Sequence, residues 1–307
     1  MRLGLDVGGT KTDAVAVAPN GTIVARTRLA TGWGPDAVVQ TILDAVANLQ
    51  ADPALTAADV RSVGIGIPGR IEPGSGRVEH AVNLGVETLD LAAAVAPVLG
   101  VPVRVENDVK AAALGAASLR GGTLSMGYLN LGTGIAAAIV TGGVLWRGAR
   151  GGAGEIGHLS IDPAGPVCRC GQRGCIEALA GGGAVSARWG RPGALPIRDV
   201  FDAADGGDAA AVLVRTDLAR GVAAAIRVLV LTADVDTVVL GGGITALGTR
   251  LQSEVAAQLE VSARESAFLR SLQLVDRVEI LPAGAPAAAL GAALIGTEAA
   301  DEREDLS

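Results

Sequence analysis

The sequence predicts an α/β protein of two domains with a cleft between them, built by duplication of one strand-rich unit. Three observations carry that expectation. Strand-length apolar stretches alternate with longer amphipathic ones along 307 residues, a length that accommodates two ordinary domains. A glycine turn that interrupts a strand near residue 8 has a counterpart near residue 132, and each is followed by a strand, a turn and a further strand. Half the residues are hydrophobic but only 2% are aromatic, so a sizeable core must be assembled from Val, Leu, Ile and Ala. Two unrelated glycine turns in a glycine-rich chain remain the alternative to duplication at this level.

The elements follow in order. A strand over 3–7 breaks at Gly8-Gly9-Thr10 and resumes over 13–18; Asn20-Gly21 is a hairpin turn leading to a strand over 22–29. Residues 35–50 have helical spacing, with Ala37, Val38, Ile42, Leu43, Val46 and Leu49 on one side. A buried strand over 60–67 ends at Pro68-Gly69, residues 70–84 read as irregular, 89–99 as a helix, 101–105 as a strand and 108–119 as a helix. The pattern then restarts with strands over 124–131, 135–141 and 144–147, and a glycine-rich loop over 148–154. Helices are expected near 176–187, 209–231, 247–259 and 286–299, and a strand over 237–240 that ends at Gly241-Gly242-Gly243; the acidic tail 301–307 is expected to fray. The domains are expected at 1–120, joined by the C-terminal helix at about 286–300, and at 121–285.

The net charge of −7 argues against nucleic acid or an anionic membrane as main partner. No apolar run approaches a membrane span and the N-terminus enters a strand at once, which together with the cysteine usage points to the cytoplasm. Lysine occurs only at Lys11 and Lys110, both beside motifs. The bland explanation is composition bias toward arginine.

Five stretches carry chemistry. All three cysteines, Cys168, Cys170 and Cys175, follow His158, giving the one-His, three-Cys set of a closed tetrahedral zinc site; a disulfide is the rival, but three cysteines cannot all pair. Glu155 and Glu177 bracket this cluster, either as polyol-binding carboxylates or as plain surface charge. Asp6-Val7-Gly8-Gly9-Thr10-Lys11 sets a carboxylate suited to magnesium ahead of a turn whose backbone N–H groups can approach phosphate, and Gly132-Thr133-Gly134 is the matching turn; each alone is also an ordinary tight turn. Neither fits a Walker loop or the Rossmann glycine fingerprint. Glu106-Asn107-Asp108 lies between a strand and a helix, where Asp108 can either cap the helix or take a proton from a hydroxyl, with Asn107 bonding a neighbouring hydroxyl. Gly241-Gly242-Gly243-Ile244 would let a flat base lie against backbone, a weak signal alone. His80 stands in an irregular segment with no partner in view.

Asp6–Lys11, Gly64–Gly69, Glu106–Gly115, Leu131–Ile135, Gly154–His158, Cys168–Glu177 and Val239–Ile244 occur in an order that resembles the ROK family of repressors, open reading frames and sugar kinases. The Glu-x-Gly-His and Cys-x-Cys-Gly-x-x-Gly-Cys pair is specific to it, and bacterial ROK glucokinases look most similar. The resemblance implies an actin-like ATPase (ribonuclease-H-like) fold. It implies an ATP-dependent kinase acting on the C6 hydroxyl of a hexose, most simply glucose, with N-acetylmannosamine or N-acetylglucosamine as alternative acceptors. It implies Asp108 as catalytic base; Gly69, Arg70, Asn107, Gly134, Glu155, His158 and Glu177 around the sugar; Asp6, Gly8, Gly9, Thr10, Lys11, Thr133, Gly241, Gly242 and Gly243 for nucleotide and Mg2+; and structural Zn2+ on His158, Cys168, Cys170 and Cys175. A homodimer or homotetramer is the family expectation. A sugar-sensing ROK regulator without a DNA-binding domain is the reading from another class. The chain departs from the common pattern at Lys110, at Ala136 and at Ala116, which bears on substrate choice and rate.

Overall fold

The computed structural model describes residues 1–55, 60–121 and 125–296. Two compact units divide the chain: Met1–Thr123 with Val140–Ala153 and Pro286–Ser307, and Leu124–Ile139 with Gly154–Ala285.

The first unit opens with β1 (Arg2–Val7), β2 (Lys11–Val17) and β3 (Ile23–Ala30). α1 (Pro35–Gln50) starts with a proline in its first turn and buries Val38, Thr41, Ile42, Ala45, Val46 and Leu49, a stripe at three- and four-residue spacing. β4 (Ser62–Ile67) follows, then β5 (Arg70–Ile71), β6 (Arg77–Ala81), β7 (Val86–Asp90), α2 (Leu91–Leu99), β8 (Val103–Asn107) and α3 (Asp108–Leu119). The stretch expected to be irregular is therefore partly a small three-stranded sheet, and the helix expected from residue 89 begins only after β7. Its apolar alternation, Val78, Ala81 and Val86 buried, is too short and too interrupted by glycine to stand out in the sequence.

The main sheet runs β3-β2-β1-β4-β8, with the hairpin partners antiparallel and β1, β4 and β8 parallel. Asp6 pairs across with Gly66, and Ile67 with Asn107, so the carboxyl ends of the three parallel strands stand together.

The second unit begins with β9 (Met126–Leu131) and β10 (Ile135–Thr141); β11 (Val144–Leu145), grouped with the first unit, closes the hairpin. α4 (Ile176–Ala180), α5 (Gly182–Trp189), α6 (Pro196–Asp205) and α7 (Ala209–Ala233) follow, then β12 (Thr237–Gly241), α8 (Thr249–Ala263), α9 (Ala267–Ser271) and β13 (Val278–Ile280). The sheet order β11-β10-β9-β12-β13 repeats the first sheet's plan, hairpin on one side and parallel strands on the other. The single helix expected over 176–187 is broken at Gly181, whose backbone is extended; Gly182 and Gly183 donate to Gly132 and Thr133 oxygens. α6, α9 and β13 had no sequence assignment. Each unit has its own aliphatic core, around Leu3, Ile42 and Ile65 in the first and Leu129, Phe201 and Ile226 in the second.

The last described element, α10 (Ala287–Ile295), returns to the first unit and lies on α3, β1 and β4. The helices touch backbone to backbone: a Cβ at Gly291 would lie 1.7 Å from the Ala111 oxygen, and one at Gly115 1.8 Å from the Ala287 oxygen. The C-terminal helix thereby braces the helix that carries Asp108. The expected extension to residue 299, the tail 301–307 and the start of the strand expected at Leu124 lie outside the described residues.

Candidate active site and metal centre

In the first unit, β8 ends at Asn107 and α3 begins at Asp108. Asn107, not Asp108, caps the helix: its Oδ1 accepts from the Val109 and Lys110 N–H groups at 3.0 and 3.3 Å. Its Nδ2 donates to the Gly69 oxygen at 3.2 Å, tying the ends of β4 and β8 together. The helix terminus is therefore satisfied by Asn107, while Asp108 Oδ1 accepts from the Val109 N–H at 2.9 Å. Gly69 needs to be glycine, since its φ is 105° and a Cβ would stand 2.6 Å from the Glu79 oxygen. Arg70 is engaged by Glu79 through Nε and Nη2 at 2.9 and 2.6 Å.

The Gly8–Lys11 turn joins β1 to β2 and is closed by Gly8 N–H donating to the Lys11 oxygen at 2.9 Å; Thr10 and Lys11 are exposed. Asp6 lies two positions before it. Burial first, and then the charges of Asp108 and Asp13, push the Asp6 carboxyl up to about 7, against a smaller opposing pull from Lys11. A carboxylate so placed calls for a cation, and its hard oxygen donor suits a divalent one.

The folded chain holds the Asp6 proton to about pH 7, whereas an unfolded chain releases it near 3.8. The contribution of Asp6 to stability therefore falls as pH rises through that interval. Asp6→Asn should remove this penalty, raising cation-free stability at pH 8 by at most about 4 kcal/mol, and by much less at pH 4, while lowering activity. Urea denaturation at the two pH values checks it; an equal effect at both would contradict the assignment.

Several contacts had no reading in the sequence. Asp13 faces Asp6 across the β1–β2 ladder and is held by Arg28 Nε at 2.8 Å and Arg26 Nη2 at 3.2 Å. A charged residue inside the alternating apolar run of β2 was the available signal. Glu106 is buried and accepts from Arg147 Nε at 2.7 Å, and Lys110, also buried, donates to the Gly151 oxygen, so loop 147–151 is clamped to the start of α3. His80 pairs with Glu87 at 3.0 Å.

In the second unit, the Gly132–Gly134 turn and the Gly241–Gly243 segment stand at one end of the sheet, since β9 and β12 are parallel and Gly241 pairs with Asn130. The three glycines of the latter do different things. A Cβ at Gly241 would lie 2.0 Å from the Tyr128 hydroxyl; Gly242 has φ 89° and no room beside the Leu131 oxygen; only Gly243 borders open space.

Glu155 and His158 are three residues apart around a single 3-10 turn (Ile156–His158), where side chains at that spacing eclipse one another. Glu177 lies in the first turn of α4, directly after Cys175.

His158, Cys168, Cys170 and Cys175 present one ligand atom each, all within 4.8 Å of one another. His158 Nδ1 is 3.7 Å from Cys168 Sγ, and Cys170 Sγ is 3.6 Å from Cys175 Sγ. Tetrahedral zinc bonds would give sulfur–sulfur and sulfur–nitrogen edges of about 3.8 and 3.6 Å. The thiols differ: hydrogen bonds from the Gln172 backbone and side chain lower Cys170 to about 6, whereas burial and the adjacent sulfurs push Cys175 up to about 12. The closed N1S3 set fits structural zinc, which when bound would hold the three sulfurs as thiolates.

The family model described as ROK matches residues 2–298. A glucokinase of Halalkalibacterium halodurans is 31% identical over 282 residues, 85% of this chain and 86% of its own. An N-acetylmannosamine kinase of Escherichia coli is 34% identical over 253 residues, 79% of this chain and 82% of its own. The ROK family glucokinase of Streptomyces griseus, solved with glucose and AMPPNP, superposes with a TM-score of 0.78 at 28% identity, covering 96% of this chain and 98% of that one. The fold is thus the actin-like ATPase fold implied by the motifs, and with duplicated sheets, a match from end to end and relatives above 30% identity, the chain belongs to the ROK family.

Proposed function

We propose that the protein is an ATP-dependent sugar kinase that phosphorylates the C6 hydroxyl of a hexose, with glucose as the first candidate. The observation that carries this is the placement of Asp108: it begins α3, Asn107 has taken over the capping of that helix, and, after burial, the Asp108 charge is the next cause that raises the Asp6 carboxyl. Asp108 takes the hydroxyl proton as the sugar oxygen attacks the γ-phosphorus; the bond to the β-phosphate oxygen breaks and ADP leaves. Backbone N–H groups of the Gly8–Lys11 and Gly132–Gly134 turns, with Lys11, bear the charge on the phosphoryl oxygens. Asp6 would hold Mg2+, which when bound neutralises phosphate charge. Gly69, Asn107, Glu155 and His158 orient the sugar, and the zinc set keeps the His158 ring in place through Nδ1, leaving Nε2 for the sugar.

The 34% identity to an N-acetylmannosamine kinase favours a second reading, an N-acetylhexosamine acceptor. Coupled ADP release with ATP and magnesium over glucose, mannose, N-acetylmannosamine and N-acetylglucosamine separates the two. Glucose is expected to give the highest kcat/KM, and absence of turnover on all four would sink the proposal. Among the described residues no helix is long and apolar enough to cross a membrane.

A further inference from the structure

Glu177 does more in this fold than face a sugar. Its Oε2 accepts the N–H of Ile135 at 3.0 Å, although the two residues are 42 positions apart. Its Oε1 lies 3.6 Å from Arg169 Nη2, and the side chain is only 13% exposed. A Cβ on Gly134 would come within 2.5 Å of Glu177 Oε2, so the carboxylate fills the hollow behind the Gly132-Thr133-Gly134 turn. The same turn is stitched at its other side: Gly182 N–H donates to the Gly132 oxygen at 2.9 Å and Gly183 N–H to the Thr133 oxygen at 3.0 Å. Within the turn, Gly132 N–H donates to the Gly134 oxygen at 3.1 Å. Two of its four consecutive N–H groups, those of Gly132 and Ile135, are thereby committed to the protein. Those of Thr133 and Gly134 make no hydrogen bond among the described residues.

We infer that Glu177 is a positioning residue for the nucleotide: it locks the Gly132–Gly134 turn so that the Thr133 and Gly134 N–H groups meet a phosphate oxygen, and it transmits the order of the cysteine loop to that turn. The route is short and continuous. Cys175 is the residue before α4, Glu177 is the second residue of α4, and Gly181–Gly183 ends it. A carboxylate behind a phosphate-binding turn carries an electrostatic cost, which Arg169 opposite its second oxygen offsets. The fold retains it because a charged acceptor holds a backbone N–H more firmly than a neutral one.

This inference rests on the kinase reading, and the test separates the two. AMPPNP affinity is measured by calorimetry with magnesium and without sugar, on wild type, Glu177→Ala and Glu177→Gln, each checked for zinc content and fold. Wild type should bind; a wild type that does not bind AMPPNP overturns the kinase reading itself. Glu177→Ala should weaken AMPPNP binding about tenfold or more, whereas Glu177→Gln, whose amide oxygen can still accept from Ile135, should stay within about threefold. Glucose affinity is measured separately. If Glu177 serves the sugar alone, Glu177→Ala will lower glucose affinity and leave AMPPNP affinity within twofold, which overturns the inference. Zinc removal should weaken AMPPNP binding in wild type and add little in Glu177→Ala, because both act through the same turn. Full additivity of the two effects would also overturn it. Should the alanine variant fail to fold, Gly134→Ala replaces it, since its methyl displaces the same carboxylate and predicts the same loss.

Discussion

Asp108→Asn is expected to lower kcat by about 10²- to 10⁴-fold, the range for loss of a positioned general base, with little change in the fold. The asymmetry follows from Asn107. Its side chain satisfies two of the N–H groups at the start of α3, so the helix does not depend on Asp108 for a cap. The asparagine oxygen can accept from Val109 N–H as the aspartate does. Two opposing electrostatic changes accompany the substitution: an acidic group is lost from the first turn of a helix, about 0.3–1 kcal/mol, and repulsion of Asp6 is relieved. They leave the denaturation midpoint nearly unmoved. Single-turnover phosphoryl transfer at saturating glucose and ATP, beside urea denaturation of both proteins, is the measurement. A variant retaining more than a tenth of wild-type kcat would remove Asp108 from the role of base.

Zinc removal is expected to have the other large effect. Elemental analysis should find one zinc per chain, and Cys175→Ser should abolish it. Cys175 is fully buried, borders α4, makes the isolated bridge with Ser160 and packs in a small cluster with Cys168 and Ala178, so it joins the loop to α4. Between residues 160 and 175 the order rests on turn hydrogen bonds such as Cys168 N–H to the Gln172 oxygen and Gly174 N–H to the Pro166 oxygen. Bonds of this kind contribute little without the metal. Zinc in small structural sites binds with roughly 10–16 kcal/mol, and part of that energy becomes order of the loop. Chelated protein should lose hexose affinity, because Glu155, His158 and Glu177 all hang on this segment, while the aliphatic core of the first unit is untouched. Zinc retention should fall on acidification, as the thiolates take up protons. A zinc-free protein with unchanged hexose KM would uncouple the metal from the sugar side.

Much of the site is legible in the residues. The spacing of His158, Cys168, Cys170 and Cys175 is a chemical signature that few other functions use, and the folded chain brings all four ligand atoms together. The two glycine turns announced a duplicated plan, and the sheets share one strand order. Less was readable where short elements sit among glycines. β5, β6 and β7 are two to five residues long, and their pairing, across residues 72–76 and then across Gly85, depends on partners that periodicity cannot see. The run over 176–187 is apolar enough for one helix, yet Gly182 and Gly183 turn their N–H groups to the Gly132–Thr133 backbone instead.

Local chemistry, which the sequence carries by itself, determined the α/β class, the four candidate metal ligands and the identity of the acidic and glycine-rich motifs. Residue type and spacing act over a few positions, and there a sequence is complete. Division of labour among those residues was decided only by tertiary structure. Asn107 rather than Asp108 caps α3, Gly241 makes room for Tyr128, Asp13 faces Asp6 under two arginines, and Glu177 closes on Ile135. Each of these is a pairing between segments from 7 to 113 positions apart or a choice between adjacent acceptors, and such choices are made by the packing that satisfies the most buried polar groups at once.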